Sequence, residues 1–373
     1  MEKKHTEPYL SAWLHQRGYA LGIPVSGVFE LTARCNFNCP MCYVHHVSQM
    51  PGIRDRELSA GQWLDLARDA RDAGMVFALL TGGEPLIRDD FFEIYHGMKE
   101  LGLLVSLNSN GFLLNGQNLQ KLLADPPSRI NVSLYGGCNE TYQNMCGVEA
   151  YHQVKENIAQ IKNAGVDVSL NLCITPYNKD DLAQIYADAV ALNVNVRSTG
   201  YMYPPVRVNN ENYGSAVRLT PEDAAKYETD WDRLRMGDVF FAKRAREIYA
   251  DLDEGCQRNP DAAGTGVSCR AGSTSFWITW DGKMLPCGML TFPMANTLET
   301  GFGEAWQRTR RETAEIRMPK ACADCANRSA CGVCAAVCMT ETGRFDCVPE
   351  YMCRKTEERI RLLREAGQKG NFL

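Results

Sequence analysis

The sequence lacks any long apolar run and any excess of basic residues. No stretch approaches the ~20 apolar residues that cross a bilayer, and the first ten residues, MEKKHTEPYL, lack the apolar core of a secretory signal. Lysine and arginine total 40 against 45 acidic residues, a net charge of −5, so no positive field attracts nucleic acid or an anionic membrane. These absences exclude both as partners and predict a cytoplasmic protein.

Internal repeats and low-complexity segments are also absent. The 373 residues favour two domains, or one barrel-sized domain with an appendage, at ~100 to 200 residues per domain. What the chain has in quantity is cysteine, with 16 residues. A reducing compartment keeps thiols reduced, so metal coordination is a better explanation than disulfides. The thiols are grouped accordingly, with three between Cys35 and Cys42 and ten between Cys256 and Cys353.

Short β-rich runs alternate with segments of helical period between residues 27 and 198, as in the βα units of a parallel sheet. The pattern predicts strands at 28–32, 76–80, 103–108, 130–134, 166–173 and 194–198. It predicts helices at 60–73, where Ser59 and Gln62 form a capping box, and at 91–101, 118–124, 153–164 and 180–192. Six strands do not close an eight-strand barrel. The predicted fold is α/β, a partial (β/α)6 open barrel with its site at the carboxyl ends of the strands.

The character of the sequence changes after residue 256. The carboxyl-terminal part is rich in cysteine and glycine, with a hairpin predicted at 276–286 around Asp281-Gly282. Residues 201–212 are predicted to form a loop, and Thr220-Pro221 to open a helix towards residue 235. We therefore expect an amino-terminal segment at 1–26, which matches no recognised pattern, the barrel at 27–215, a helical linker at 216–255 and a small cysteine-rich domain at 256–373.

Cys35, Cys39 and Cys42 directly follow the first strand with the spacing Cys-x3-Cys-x2-Cys. A four-iron cluster usually takes four thiolates, so a loop with three leaves one iron open to another ligand. The alternative is a zinc site that takes a distant fourth ligand, although zinc sites favour paired Cys-x2-Cys knuckles. The loop therefore predicts a 4Fe-4S site.

This spacing resembles that of the radical S-adenosylmethionine (SAM) superfamily. The run LLTGGEP at 79–85 is similar to the family's GGEP motif, whose backbone meets the methionyl amino group. The resemblance implies that Gly82, Gly83, Glu84 and Pro85 bind the cofactor, and glycine permits close approach of backbone to a ligand. A plain turn is the alternative for such a motif on its own.

Two further strand ends resemble family positions that touch the cofactor: Asn108, in the run NSNG, and Ser133, in the run NVSLYG. A turn and an ordinary strand hydroxyl are the alternatives. Many relatives place an arginine shortly after the fourth strand to meet the methionine carboxylate, where this chain has NMCG at 144–147. Arg197 could substitute for that arginine. Because the radical is borne by the cofactor, no catalytic residue is assigned, and Cys146 and Arg197 are candidates only.

The carboxyl-terminal cysteines resemble the SPASM domain, which carries two auxiliary 4Fe-4S clusters. Cys269, Gly282 and Cys287 give Cys-x12-Gly-x4-Cys, and the pattern continues through Cys322, Cys325 and Cys331. The family's next cysteine corresponds to Ala335, which lies between Cys334 and Cys338. That ligand therefore stays ambiguous.

The family topology implies that Cys322, Cys325 and Cys331 hold the distal auxiliary cluster with a late cysteine, for which Cys353 fits better than Cys347. The proximal cluster would take Cys269, Cys287 and either Cys334 or Cys338, and Cys256 could complete it or leave an open iron. A two-zinc module is the alternative. The remaining cysteines are expected to be buried free thiols of the barrel: Cys138, Cys146 and Cys173.

The resemblance implies SAM and three 4Fe-4S clusters as cofactors of an oxygen-sensitive oxidoreductase. One-electron cleavage of SAM at the first cluster gives methionine and a 5'-deoxyadenosyl radical, which removes hydrogen from an unactivated carbon. The protein's part is orientation and the exclusion of water and oxygen. Flavodoxin or ferredoxin is the expected electron donor.

SPASM enzymes mostly modify peptides or proteins, so we expect crosslinking or oxidation of a ribosomally made peptide first. Oxidation or rearrangement of a small molecule comes second, and an electron carrier last, because a carrier needs no GGEP motif. Sulfatase-maturing relatives place an Asp after the cysteine matched by Cys287, and Gly288 at that position counts against this activity. Only 34 residues precede Cys35. Three alternatives for substrate recognition stay open: a separate leader-binding protein, a small substrate, or direct binding of the peptide by the barrel.

Overall fold

The structure is a computed structural model that describes residues 9–44, 51–204, 206–207, 215–253 and 266–369. The strands are β1 Ser26–Glu30, β2 Phe77–Thr81, β3 Leu104–Ser109, β4 Arg129–Ser133, β5 Val168–Cys173, β6 Asn195–Thr199, β7 Ser275–Ile278, β8 Lys283–Leu285 and β9 Ala295–Asn296. The helices are α1 Tyr9–Leu21, α2 Ile53–Arg56, α3 Ala60–Asp72, α4 Phe91–Glu100, α5 Gly116–Ala124, α6 Asn139–Cys146, α7 Tyr151–Asn163, α8 Leu182–Ala191, α9 Pro221–Met236, α10 Asp238–Asp253, α11 Thr297–Ala314, α12 Lys320–Ala323, α13 Ala335–Thr342 and α14 Glu350–Lys369.

All of the strands form one sheet, in the order β6-β5-β4-β3-β2-β1-β7-β8-β9. The six predicted strands pair in parallel, which confirms the partial open barrel. The predicted hairpin is β7 with β8. Its attachment was not predicted: β7 pairs in parallel with β1, with Trp277 opposite Val28. The barrel and the cysteine-rich part therefore share a continuous sheet.

The two faces of the sheet differ in chemistry because side chains alternate along a strand. One face is apolar and packs on the helices. Phe29, Leu80, Leu107 and Val132 are fully buried there, and the ring of Trp63 on α3 meets that of Phe29 edge to face. The opposite face is the inside of the partial barrel. Its polar side chains come from neighbouring strands: Asn108, Asn131, Ser133, Asn171 and Arg197.

The helices that were predicted from periodicity are present within a few residues of their expected ends. α3 begins with the expected capping box, in which Gln62 N donates to Ser59 Oγ at 3.3 Å and Ser59 N donates to Gln62 Oε1 at 2.9 Å. The helical linker expected at 216–255 contains α9 and α10. Sequence analysis missed α1, α6 and the long carboxyl-terminal helices α11 and α14. None of the helices in the described ranges is both long and apolar enough to cross a membrane.

Candidate functional site

The three cysteines of the first motif lie in one loop at the carboxyl end of β1. Phe37 N donates to Cys35 Sγ at 3.4 Å, and Asn110 Nδ2, from the end of β3, reaches the same sulfur at 3.7 Å. Burial raises the pKa of the Cys35 thiol to about 12. Hydrogen-bond donors directed at cysteine sulfur are one of the means by which proteins tune iron-sulfur clusters. The three thiols and the N–H groups directed at Cys35 therefore fit an iron-sulfur cluster with Cys35, Cys39 and Cys42 as its ligands.

Gly82 and Gly83 bring the end of β2 against the base of this cysteine loop. Gly83 N donates to Thr32 O at 2.8 Å. A Cβ on Gly82 would lie 2.3 Å from Thr32 O, and a Cβ on Gly83 would lie 2.2 Å from Arg34 O. The glycine pair is thus required where two stretches of the chain's own backbone meet. Contact of this backbone with the cofactor stays a prediction.

Glu84 ties the end of β2 to the end of β3. Its buried carboxylate accepts hydrogen bonds from Asn110 N at 2.8 Å, from Ser109 Oγ at 3.0 Å and from Leu86 N at 3.2 Å. Burial raises the pKa of Glu84 to about 7. All of these contacts are within the protein, so the carboxylate positions Asn110 beside Cys35.

The inside of the barrel brings together the other predicted cofactor positions. Asn131 Nδ2 donates to Asn108 Oδ1 at 2.9 Å, while the buried Asn131 Oδ1 has no hydrogen-bond partner within the part of the chain that the structure describes. Ser133 contacts the Tyr135 hydroxyl. Arg197 is exposed on β6, in register with Asn171 and Ser133. The unpartnered amide oxygen and the exposed guanidinium are groups that a bound molecule could engage.

Cys146 lies at the end of α6, against the cysteine loop. Its side chain is fully buried and hydrogen-bonded to that of Cys39, and its carbonyl accepts from Asn38 N at 2.8 Å. The expectation of a buried thiol is confirmed for Cys146, and Cys173 is partly buried. The expectation is wrong for Cys138, which is exposed because it caps α6 and places its sulfur 3.3 Å from Thr141 Oγ1.

Four carboxyl-terminal cysteines line a single cavity of about 60 Å³: Cys322, Cys325, Cys331 and Cys353. This is the distal set that the sequence predicted. Cys347 is exposed and does not line the cavity. Cys353 does so because it lies in the first turn of α14. Among the described residues, no three His, Cys, Asp or Glu side chains are grouped as ligands of a single metal ion.

A second set forms beside β7, where Cys269, Cys287 and Cys334 lie near the Tyr203 side chain. Met289 N donates to Cys287 Sγ at 3.5 Å, and Tyr203 Oη lies 3.8 Å from Cys334 Sγ. Burial and the neighbouring thiols raise the pKa of Tyr203. Cys334 precedes α13 directly as its N-cap, whereas Cys338 is fully buried one turn into that helix. Cys256 lies outside the described residues.

A buried ion pair that sequence analysis missed lies between the first cysteine loop and this second set. Arg207 donates to Glu30 at 3.1 Å and to Gly288 O at 3.1 Å. Trp277 Nε1 donates to the same carboxylate at 2.9 Å. The available signal was Glu30 itself, a charged residue among apolar neighbours in a strand, because a buried charge requires a partner.

Comparison with known proteins identifies two domains. Residues 29–189 match the Radical SAM superfamily, and residues 269–334 match SPASM, an iron-sulfur cluster-binding domain. The AdoMet-dependent heme synthase of Methanosarcina barkeri (strain Fusaro / DSM 804) is 25% identical over 329 residues, which cover 85% of this chain and 93% of that protein. The PqqA peptide cyclase of Streptomyces rochei is 26% identical over 325 residues, 83% of this chain and 84% of that protein. The fold is similar to the crystal structure of Streptococcus suis SuiB bound to precursor peptide SuiA, with a TM-score of 0.63 at 16% identity, covering 94% of this chain and 82% of that chain.

Proposed function

Because the chain belongs to the SPASM-domain subfamily of radical SAM enzymes, we propose that it modifies a peptide, crosslinking or oxidising a ribosomally made substrate. SAM and iron-sulfur clusters are implied by the two matched domains. When bound, SAM and its cluster supply a radical that can remove hydrogen from an unactivated carbon. The chain's own residues hold these groups, orient the substrate and exclude water.

We assign three 4Fe-4S clusters to the three sets of thiols. Cys35, Cys39 and Cys42 would hold the cluster that binds SAM. The distal auxiliary cluster takes the cysteines that line one cavity, which are Cys322, Cys325, Cys331 and Cys353. The proximal one takes the cysteines around Tyr203, which are Cys269, Cys287 and Cys334. In this assignment Cys338 is a bystander.

SAM would lie on the inner face of the barrel next to the first cysteine loop. The backbone of Gly82 and Gly83 borders that loop, and Pro85 follows two residues after Gly83. The unpartnered Asn131 Oδ1, beside Asn108, provides a hydrogen-bond acceptor. Ser133 lies on the same face as Asn131, two residues further along β4.

The observation that carries the peptide proposal is the polar inner face at the open edge of the sheet. Asn171 and Arg197 lie in register on β5 and β6, and β6 is the terminal strand on that side. Their amide and guanidinium groups are suited to the N–H and C=O groups that repeat along a peptide backbone. The peptide named in the PqqA peptide cyclase and the precursor peptide bound to SuiB support the same substrate class.

Sulfatase maturation is disfavoured by the packing after Cys287. A Cβ on Gly288 would lie 2.9 Å from three atoms of the Trp277 ring. An Asp at this position would require that ring to move. The chain therefore lacks both the residue and the space for a carboxylate directly after this cysteine.

The heme synthase relative favours a second candidate, oxidative or rearranging chemistry on a small molecule. A flat, largely apolar ring binds best in an apolar slot. The inner face here presents amides, a hydroxyl and Arg197 instead. We therefore rank the peptide first.

The test begins with the anaerobically reconstituted protein, SAM and dithionite, and measures 5'-deoxyadenosine. Short peptides encoded beside the gene and a porphyrin are then added separately. We expect a peptide to accelerate 5'-deoxyadenosine formation and to become lighter by two hydrogens in mass spectrometry. Acceleration by the porphyrin alone would establish the second candidate instead.

A matched pair of variants tests the binding face. In this proposal Arg197 contacts the peptide rather than the methionine carboxylate of SAM, so Arg197→Ala should raise the KM for the peptide and spare SAM cleavage without substrate. Arg129→Ala is the control, because Arg129 lies at the opposite end of β4 and pairs with Asp167 at 2.6 Å. Equal KM values in the two variants would remove Arg197 from the substrate site.

A further inference from the structure

The barrel delivers a tyrosine hydroxyl to the proximal cysteine set. Tyr203 lies four residues after the end of β6, and its Oη is 3.8 Å from Cys334 Sγ. Cys287 and Cys269 are close enough to act on its ionisation. The Tyr203 side chain therefore lies near all three thiols, and its hydroxyl contacts one of them.

Aromatic packing holds Tyr203 in this position. Its ring meets that of Tyr201 edge to face, with centroids 5.0 Å apart, and Tyr201 meets Tyr351 at 5.5 Å. Tyr201 Oη donates to Glu341 Oε1 at 2.8 Å, so the neighbouring ring is itself anchored to α13. A side chain with so few free rotamers loses little entropy when its hydroxyl is directed at one sulfur.

We propose that Tyr203 is a positioning residue of the proximal auxiliary cluster, whose hydroxyl donates a hydrogen bond to the Cys334 sulfur and raises the cluster's reduction potential. This inference rests on the proposed assignment of Cys334 as a ligand. A thiolate bound to iron has no proton, so the tyrosine is the donor. The 3.8 Å between Tyr203 Oη and Cys334 Sγ suits an O–H···S hydrogen bond. If Tyr203 were itself a ligand, its oxygen and the Cys334 sulfur would bind different irons of the cluster and would lie farther apart.

The direction of the effect follows from charge. Reduction adds a negative charge to the cluster and its thiolates, and a hydrogen bond to a ligand sulfur stabilises that charge. Removing the donor therefore disfavours the reduced state and makes the potential more negative. The same segment carries Arg207, which contacts Gly288 beside Cys287, so the chain leaving β6 contacts the neighbourhood of two proximal cysteines.

The test compares Tyr203→Phe with Tyr201→Phe after anaerobic reconstitution. Tyr201 is the matched control, because it is a buried tyrosine that packs against Tyr203 and its hydroxyl contacts Glu341 rather than a cysteine. Iron content and an EPR-monitored redox titration are measured for both. We expect full iron content in both variants and a more negative potential for one auxiliary cluster in Tyr203→Phe only. Unchanged potentials in Tyr203→Phe, or equal shifts in both variants, would overturn the inference.

Cys334→Ala separates the failure of this inference from failure of the ligand assignment. Loss of one auxiliary EPR signal in Cys334→Ala identifies the signal that must shift in Tyr203→Phe. A shift in a different signal would contradict the proposed hydrogen bond but leave Cys334 as a ligand. Full iron content in Cys334→Ala would overturn both assignments. If Tyr203→Phe lost iron, 3-fluorotyrosine incorporated at position 203, a more acidic donor, should shift the potential in the opposite direction, and an unchanged potential would overturn the inference.

Discussion

Arg207 and Glu30 form a buried ion pair in the barrel that contacts the cysteine-rich part through Gly288 and Trp277. Both Nη atoms of Arg207 contact the carboxylate at 3.1 Å, and the Glu30 side chain is fully buried. The guanidinium also lies over the ring of Tyr43, at 5.1 Å from its centroid. Tyr43 follows Cys42, and Gly288, the third partner of Arg207, follows Cys287. One arginine therefore contacts the neighbours of cysteines from two proposed cluster sites.

Removing the arginine should cost far more stability than removing an exposed one. Arg207→Met leaves the Glu30 carboxylate buried with Trp277 as its remaining donor among the described residues, and breaking a buried pair from one side costs about 3 to 5 kcal/mol. The measurement is the free energy of unfolding from a urea titration. The double variant Glu30→Gln/Arg207→Met should recover part of the loss, because no charge is then buried alone.

Arg354→Met is the control for this prediction. Arg354 contacts both carboxylate oxygens of Glu222, at 2.9 and 3.1 Å, with the same bidentate geometry but at the surface. Exposed pairs contribute about 0 to 1 kcal/mol. Similar losses in Arg207→Met and Arg354→Met would contradict a stabilising role for the buried pair.

Gly83→Ala should lower the iron content of the first cluster. The new Cβ would lie 2.2 Å from Arg34 O and 2.8 Å from Ala33 O, and backbone atoms can avoid it only if the base of the cysteine loop moves. We expect about four of about twelve irons to be lost after reconstitution. Gly303→Ala is the control, because no atom lies within 4 Å of a Cβ there. Full iron content with weaker SAM binding would mean instead that the methyl group meets only the cofactor.

Glu84 should make stability fall as pH rises. Burial raises its pKa from the ordinary 4.5 to about 7, so between these values the folded state holds a proton that the unfolded chain releases. Its contribution is therefore fully present below pH 4.5 and lost as pH rises through about 7. The difference amounts to about 3 kcal/mol. Glu84→Gln cannot titrate, so the wild-type minus variant free energy of unfolding of the cluster-free protein should decline over this range. Parallel curves would contradict the prediction.

The sequence predicted the barrel strands and the cysteine sets because both rest on local patterns. Alternating runs such as Leu104–Ser109 and the capping box at Ser59 need no knowledge of distant neighbours. The parallel pairing of β7 with β1 joins residues about 250 positions apart, and no local pattern encodes it. Arg207 was missed for the same reason, since its partners Glu30 and Gly288 come from two other parts of the chain.

Cys334→Ala should lose iron while Cys338→Ala retains it. Spacing alone left the two residues equivalent. In the structure Cys334 ends the segment before α13 and faces Cys287, whereas Cys338 is fully buried inside the helix. The measurement is iron content after anaerobic reconstitution, with SAM cleavage expected to survive in both variants. Iron loss in Cys338→Ala alone would exchange the two roles.

The late cysteine of the distal set gives the sharpest comparison, because Cys347 and Cys353 lie six residues apart in the sequence. Cys353 lines the cavity with Cys322, Cys325 and Cys331. Its pKa is raised mainly by burial and also by the nearness of these thiols. Cys347 is exposed. We therefore expect Cys353→Ala to lose about four irons and Cys347→Ala to lose none, as measured by iron and sulfide analysis of the reconstituted protein. Full iron content in both variants would show that neither thiol is required, and the distal cluster would then need a fourth ligand from elsewhere in the chain.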